Sequence, residues 1–560
     1  MTKALKTAYI IFFLIALALL VRLTIVYNTY IISSDGPFYL EVARHVSDGD
    51  FETALQKQVF HPLYPFLVGI ASWLVHNLEW AGYLVSILFA AMGIIPLFFI
   101  GRKYFPEPIV IVSCLLYAVH PGCSRLSSSI LTTGLFIGVF LYALWVTIIA
   151  FQSRKFWYFL LSGLLSFIMY LIRPDGLVFF FVSVIVIIAK ENKLVSTIGV
   201  LINVARSIAK GNKLASIIGV LINLAKSIVK ENRFLKSLVY VFLLAIPWIF
   251  LLPPYIYLTT QITGYSRVTG KVSFSKMIGT ETKEIKQSDL SDNQSASTEV
   301  ATDNPSAKQY FNGLYLLIVN FIRGAHPILF ILFVLGLFRH AKQKDRDAPF
   351  FIWLVFGVFM VLFYRYGVLY GRLSVRYTVP LFVMVIFWAG EGLFFLSELI
   401  YSKVNEKLML PWRKDVLLCL TMAIIMTPVL FYTFRPVGKI YLIEKATGQA
   451  LGIYHMSKSI PYKKPLIITI SRRLAYYADG ALILPTDLGG DYQKVAQAIM
   501  KEGIDYAVLD HRLLKKFPEI ERELVKFENY GLRVELISTQ FNNYSPESHD
   551  FHLTYKFTKK

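Results

Sequence analysis

The sequence predicts a polytopic all-α membrane domain followed by a smaller soluble α/β domain, and three observations lead there. Of the 560 residues, 56% are hydrophobic and 17% charged, with a mean hydropathy of +0.55. A soluble globular chain carries roughly 25% charged and about 45–50% apolar residues. The apolar excess is gathered into long blocks, such as Ala8 to Val21 and Ala81 to Ile100. Blocks of about 18 or more apolar residues are long enough to cross a bilayer. Past Arg435 the texture changes to short strand-like runs alternating with helical periods. Soluble, disordered and secreted disulfide-scaffold classes are excluded.

Cations set the path of the chain. Lys3 and Lys6 precede the first apolar run, which puts the N-terminus in the cytoplasm. Val26-Tyr27-Asn28-Thr29 offers no small-residue cleavage site, so the run reads as an uncleaved span, about 7–27. Residues 28–78 then lie outside. Span two, about 79–100, returns to Arg102 and Lys103. Span three leads to a short outer loop around His120-Pro121-Gly122, and span four comes back to Arg154 and Lys155. Span five ends at Arg173-Pro174-Asp175-Gly176, and span six returns to Lys190. Span seven, about 237–258, is expected to be broken by Pro247, Pro253 and Pro254. Span eight returns near Arg339, span nine reaches Arg365, Arg372 and Arg376, and span ten comes back to Lys403. Span eleven, about 415–433, exits again. The chain is thus expected in the plasma (inner) membrane, with its C-terminal domain extracytoplasmic.

The 57 Lys and Arg against 36 Asp and Glu give a net charge of +21. Short inner loops and anionic headgroups account for many of these cations, so nucleic acid is not expected as a partner and membrane lipids are. Cys114, Cys123 and Cys419 form neither a metal-ligand spacing nor a disulfide framework.

Within the membrane domain, residues 1–433, an inner segment at 190–236 repeats itself: KENKLVSTIGVLINVARSIA is followed by KGNKLASIIGVLINLAKSIV. Leu194, Ile198, Leu201, Ile202, Ala205 and Ile208 share one helical face, which predicts amphipathic helices in the cytoplasmic interface. Residues 281–307 are polar and read as a flexible outer loop. In the domain at 434–560, strands are predicted at 466–470, 481–484, 506–509, 533–537 and 551–557. Helices are predicted over 491–501 and 512–527, and no glycine-rich dinucleotide fingerprint follows the first strand.

Functional groups belong at the outer face, since the inner loops offer mainly lysines. Asp35 precedes Gly36-Pro37 and a helical stretch, Phe38 to Val46, so its carboxylate lies at a helix N-terminus. An Asp there is also a good N-cap, and the residues alone allow either role. Asp48 and Asp50 read as turn residues, and Glu41 falls on what is by default a solvated face. Outer-end arginines, Arg173, Arg365, Arg372 and Arg376, run against the positive-inside bias. They either snorkel to headgroups or bind an anion through the planar guanidinium fork.

Asp35, Tyr39 and Ala43, then His61-Pro62-Leu63-Tyr64-Pro65, resemble the first outer loop of the GT-C glycosyltransferases. The likeness is greatest to the group of protein O-mannosyltransferases and lipid A aminoarabinose transferases. Leu171-Ile172-Arg173-Pro174-Asp175-Gly176 and Arg376-Tyr377-Thr378-Val379-Pro380 are similar to further motifs of that group, in the same order over roughly residues 1–433. Many members carry Asp-Glu where this chain has Asp35-Gly36, which counts against a second carboxylate at that step.

The resemblance implies a polyprenyl-phosphate sugar donor and a glycolipid, glycan or protein acceptor at the outer face. It implies Asp35 as general base, with direct attack and inversion. His61, Arg173, Arg376 and Arg372 are then the donor-phosphate contacts, and Tyr39, Glu41 and Tyr64 position substrate. The chemistry agrees. A glycosidase needs a second carboxylate to protonate a poor leaving group. A lipid phosphate leaves without a proton, so one ionised base and nearby cations suffice. Some GT-C members use a divalent metal; no ligand cluster for one stands in this sequence, and none is expected. A transporter or flippase of a lipid-linked or anionic substrate is the leading alternative, and a non-enzymatic scaffold the third. A transporter would show half-chain repeats and mid-membrane acids, and Glu391 is the exception among spans that hold few acids.

Overall fold

The computed structural model describes residues 3–57, 61–191, 233–263, 306–341, 349–408, 414–458, 463–484, 492–516, 518–541 and 551–559. The repeat at 190–236 and the polar loop at 281–307 lie almost wholly outside the described residues.

Hydrocarbon offers no water to backbone N–H and C=O groups, so an apolar block of this length pairs them internally as helix. Among the described residues, five helices are long and apolar enough to cross a membrane: Ala4–Tyr27, Leu78–Tyr104, Thr132–Ser153, Leu235–Ile262 and Phe350–Tyr370. Three bent pairs qualify together: Glu107–Val119 with Pro121–Ser127, Ala307–Ala325 with Pro327–His340, and Val375–Met384 with Ile386–Lys403. Shorter apolar helices are Leu63–Val75, Phe156–Ile172, Asp175–Ala189 and Leu418–Phe434. Each expected span falls on one of these helices or pairs. Leu63–Val75 is additional, an apolar helix inside the segment read as an outer loop. The architecture is that of a multi-pass membrane protein.

One local expectation is corrected, and two bends are added to the path of the chain. Span seven is not broken: Arg233–Thr263 is one helix with Pro247, Pro253 and Pro254 inside it. Its neighbours support it, as Trp248 packs on Phe167, Tyr170 and Phe180 and donates its indole N–H to Ser166 Oγ at 2.8 Å. Packing of this kind lets membrane helices tolerate proline. Span eight instead turns by 98° at His326, which has φ 70° and precedes Pro327. A residue before proline is pushed out of the helical region, and the turn follows. At His120, the site of the expected short outer loop, two helices meet in a buried bend where His120 Nδ1 accepts the Cys123 amide and caps the Pro121–Ser127 helix.

Tight contacts hold the bundle. A Cβ on Gly336 would strike the Trp388 carbonyl, and one on Gly392 the Leu332 carbonyl, so these two helices meet backbone to backbone. Arg22, fully buried in the first helix, donates to Ser127 Oγ at 2.8 Å and to the carbonyls of Ala18 and Ala118. That charge within an apolar run ties the first helix to the 121–127 turn.

The C-terminal region is a five-stranded sheet in the order β2-β1-β3-β5-β4. The strands are β1 (Leu466–Ile468), β2 (Ala481–Ile483), β3 (Tyr506–Asp510), β4 (Leu532–Phe541) and β5 (Phe551–Lys559). β1 pairs parallel with β2 and β3, and β5 runs antiparallel to β3 and β4. All five lie where the apolar runs predict. The expected 512–527 helix is two, His511–Lys516 and Ile520–Lys526, parted around Pro518. This domain docks on the segment that carries Asp35. Tyr477 Oη accepts the Ile32 amide at 3.3 Å, Arg472 stacks 3.9 Å over the Phe38 ring, and Arg44 meets Asp479 at 3.0 Å.

Candidate active site

Asp35 holds the N-cap position of the Gly36–Ser47 helix, yet its side chain makes no capping hydrogen bond. Pro37 stands in the first turn and has no N–H to offer, which removes one of the donors a cap would serve. The carboxylate turns instead to Arg376, whose Nη1 donates to Oδ2 at 2.5 Å. The pair joins residues 341 positions apart, one at a loop-to-helix junction and one in the first turn of Val375–Met384. It is partly open, with 21% of the Asp35 side chain and 32% of the Arg376 side chain exposed.

Tyr377 follows Arg376 and carries the site inward. The Arg376 guanidinium lies 5.6 Å from the Tyr377 ring centre and that of Arg173 lies 5.0 Å from it. Arg173 is also 4.8 Å from the Phe136 ring and pairs with Asp175 at 2.7 Å, in a nearly dry setting. Tyr39 is buried between these charges. Its phenol bonds to Thr132, and burial together with the Asp35 charge holds its pKa well above the usual tyrosine range. The Tyr39 ring meets Tyr64 edge-on at 5.1 Å.

His61 is the unsatisfied member. It is 7% exposed, stands 4.9 Å from the Tyr170 ring, and neither ring nitrogen has a hydrogen-bond partner among the described residues. Burial, and the Arg173 charge, push its pKa down to about 4. The ring is therefore neutral at pH 7 and presents one N–H donor. A buried polar group costs about 1–3 kcal/mol when left unpaired, and among the described residues this imidazole is left with a hydrogen bond to offer.

The remaining expected site residues have other polar partners. Tyr64 is fully buried and its hydroxyl bonds the Gly82 carbonyl and Ser86 Oγ, tying Leu63–Val75 to Leu78–Met92. Glu41 is exposed and pairs with Lys57 at 2.5 Å, away from Asp35. Arg372 sits with Tyr366 and Tyr370 at the end of Phe350–Tyr370. The structure thus brings together Asp35, Tyr39, His61, Arg173 and Arg376. Sequence reasoning assigned no role to Tyr377, Asp175, Thr132 or Tyr170. The first two stand inside the Arg376-Tyr377 and Arg173-Pro174-Asp175 motifs, which was the available signal. Asp50, read as a turn residue, caps the Phe51–Gln56 helix through the Thr53 amide. Among the described residues no three His, Cys, Asp or Glu side chains gather around a common point that would hold a metal ion.

A multi-helix membrane part, with an acid at the start of the first interhelical segment, is followed by a C-terminal sheet domain, and this arrangement is similar to that of solved membrane proteins. Residues 61–209 match the model of the dolichyl-phosphate-mannose-protein mannosyltransferase family. ArnT from Cupriavidus metallidurans in the apo state is similar over 98% of this chain and 98% of its own, with a TM-score of 0.54 at 12% identity. The same protein bound to undecaprenyl phosphate superposes over 97% of both chains, at 0.54 and 13% identity. The apo oligosaccharyltransferase of Archaeoglobus fulgidus matches with a TM-score of 0.48 and 11% identity over 98% of this chain and 74% of its own. No curated protein matches the chain in sequence.

Proposed function

We propose that the protein is an inverting glycosyltransferase that moves a sugar from a polyprenyl-phosphate donor to an acceptor at the outer face of the membrane. The Asp35–Arg376 pair beside the unpartnered His61 carries this reading. Asp35 Oδ2 is held by Arg376, which leaves Oδ1 to accept the acceptor proton. The acceptor oxygen or nitrogen attacks the anomeric carbon as the bond from that carbon to the phosphate oxygen breaks. The bonding pair leaves with the lipid phosphate, and the acceptor proton passes to Asp35. Arg376 and Arg173 take up the leaving charge, and the neutral His61 donates one N–H to a phosphate oxygen. Tyr39 positions Asp35 and Arg376 from the buried side.

The family match over 61–209 and the likeness to an ArnT structure bound to undecaprenyl phosphate support a lipid-phosphate donor. The test is mass spectrometry of lipids that copurify with the gently solubilised protein, wild type beside His61→Ala. A sugar-bearing polyprenyl phosphate, depleted in the variant, is the expected result. Bulk phospholipid alone in both samples would sink the donor site.

A further inference from the structure

We propose that Tyr366, Tyr370 and Arg372 form a second subsite, which binds an anionic sugar residue of the acceptor. The inference rests on the glycosyl-transfer reading above and deepens it. Tyr366 and Tyr370 stand one turn apart on Phe350–Tyr370, with ring centres 4.7 Å apart and planes inclined by 35°. Tyr366 lies 6.0 Å from the Tyr377 ring, so the wall is continuous with the candidate active site. Arg372 reaches the Tyr366 phenol and neighbours Tyr370. All four residues are half-buried, and Arg372 makes no ion pair with a carboxylate among the described residues.

The chemistry of the wall is that of a carbohydrate platform with a charge reader. A tyrosine gives an apolar ring face, which suits the C–H face of a pyranose, and a hydroxyl that bonds sugar oxygens. An arginine beside it selects a phosphate or carboxylate through its fork. Arg372 bonds the Tyr366 phenol and pairs with no carboxylate among the described residues, so its fork keeps donors for an anion.

The proposed acceptor role follows from the proposed place of the donor phosphate. Inversion requires the incoming group and the leaving phosphate on opposite sides of the anomeric carbon. Buried His61, unpartnered among the described residues, and buried Arg173, paired with Asp175, mark the phosphate side. The Tyr377 ring is met by Arg173 at 5.0 Å, by Arg376, which holds the base Asp35, at 5.6 Å, and by Tyr366 at 6.0 Å. His61 packs on Tyr170 and is joined by no ring contact or hydrogen bond to Tyr366, Tyr370 or Arg372, and the wall is assigned to the acceptor accordingly.

Saturation-transfer NMR on the full-length protein in detergent tests this, with mannose 6-phosphate, glucuronate and mannose as probes. Each is run with and without undecaprenyl phosphate, on wild type, Arg372→Gln, Arg372→Lys and Tyr370→Leu, all checked for monodisperse elution. The expected result is that wild type prefers the two anionic sugars to mannose by about tenfold or more, the scale of one charge-assisted contact. Arg372→Gln abolishes the preference, Arg372→Lys keeps part of it, and Tyr370→Leu weakens all three sugars. Undecaprenyl phosphate affinity stays at the wild-type level in every variant. Equal binding of anionic and neutral sugars by wild type overturns the proposal. So does a loss of undecaprenyl phosphate binding in Arg372→Gln, which returns Arg372 to the donor side. Inorganic phosphate competing as well as mannose 6-phosphate overturns the sugar part. If wild type fails to bind undecaprenyl phosphate while the Arg372-dependent preference persists, the glycosyl-transfer reading fails and the anionic-sugar site stands.

Discussion

Two clusters of carboxylates and arginines in this protein look alike and are put to different uses. In the C-terminal domain Glu444 is 1% exposed and accepts two bonds from Arg473, at 2.7 and 3.2 Å, and one from Arg512 at 2.8 Å. Asp510 takes Arg512 at 2.5 Å and the Leu513 amide at 2.8 Å. Two acids meet two arginines, and the set is closed. Around Asp35 the balance is different: Arg376 and Arg173 each have one carboxylate, Arg372 has none among the described residues, and His61 has no hydrogen-bond partner among them. A cluster that satisfies itself holds a fold together. One that leaves buried donors over is arranged for a ligand.

Asp35→Asn should break that contrast most visibly. Removing a general base costs roughly 10²–10⁴-fold in turnover, and the protein should still elute as a monodisperse species. Turnover within a few-fold of wild type would make Asp35 a structural partner of Arg376 and nothing more. Glu444→Ala should act in the opposite manner. Breaking a buried ion pair by removing one partner costs about 3–5 kcal/mol, read as earlier thermal unfolding or proteolysis of residues 442–559. An unchanged melting profile would show that the closed cluster is not what holds this domain.

His61 supplies a smaller effect with a definite sign. Its imidazole, at about 4 when free of ligand against an ordinary value of 6.5, binds no proton at pH 7. A lipid phosphate beside it favours the imidazolium, so binding takes up a proton and affinity rises as pH falls from about 6.5 towards 4. Undecaprenyl phosphate binding measured across that window should show the rise in wild type beyond whatever His61→Gln retains, since the lipid phosphate titrates there too. Identical pH profiles would remove His61 from the phosphate site. Last comes Glu41→Gln. Its pair with Lys57 is about half-exposed, and such pairs are worth about 0–1 kcal/mol. Stability and turnover should stay near wild type; a large loss of turnover would bring Glu41 back as a substrate-positioning residue.

Much of the architecture is legible along the chain. Spans announce themselves because a bilayer imposes a length and an apolar requirement on each segment. Bends are less legible, because they depend on neighbours: three prolines leave Arg233–Thr263 continuous, whereas one proline after His326 accompanies a 98° turn. The candidate site divides in the same way. Asp35 is visible as an acid before Gly36-Pro37, and Pro37 already hints that the cap reading is incomplete, since a proline in the first turn has no amide to be capped. Nothing local separates Glu41, which faces solvent, from Tyr39, which faces the arginines. Tyr64 keeps its place in the motif but spends its hydroxyl on the neighbouring helix.

What the sequence determined by itself is the class of molecule, the position of the long apolar helices and of the five strands, and a short roster of acids and arginines at span ends. These follow from hydropathy and periodicity, which act over a few residues to a few turns. Only the tertiary structure decided which of those groups meet. Arg376 reaches Asp35 across 341 residues, Arg173 settles between Phe136 and Tyr377, and Arg372 joins Tyr366 and Tyr370 instead. Such pairings depend on how helices pack around glycine contacts and bends, and charges at the ends of packed helices find partners that no local pattern specifies.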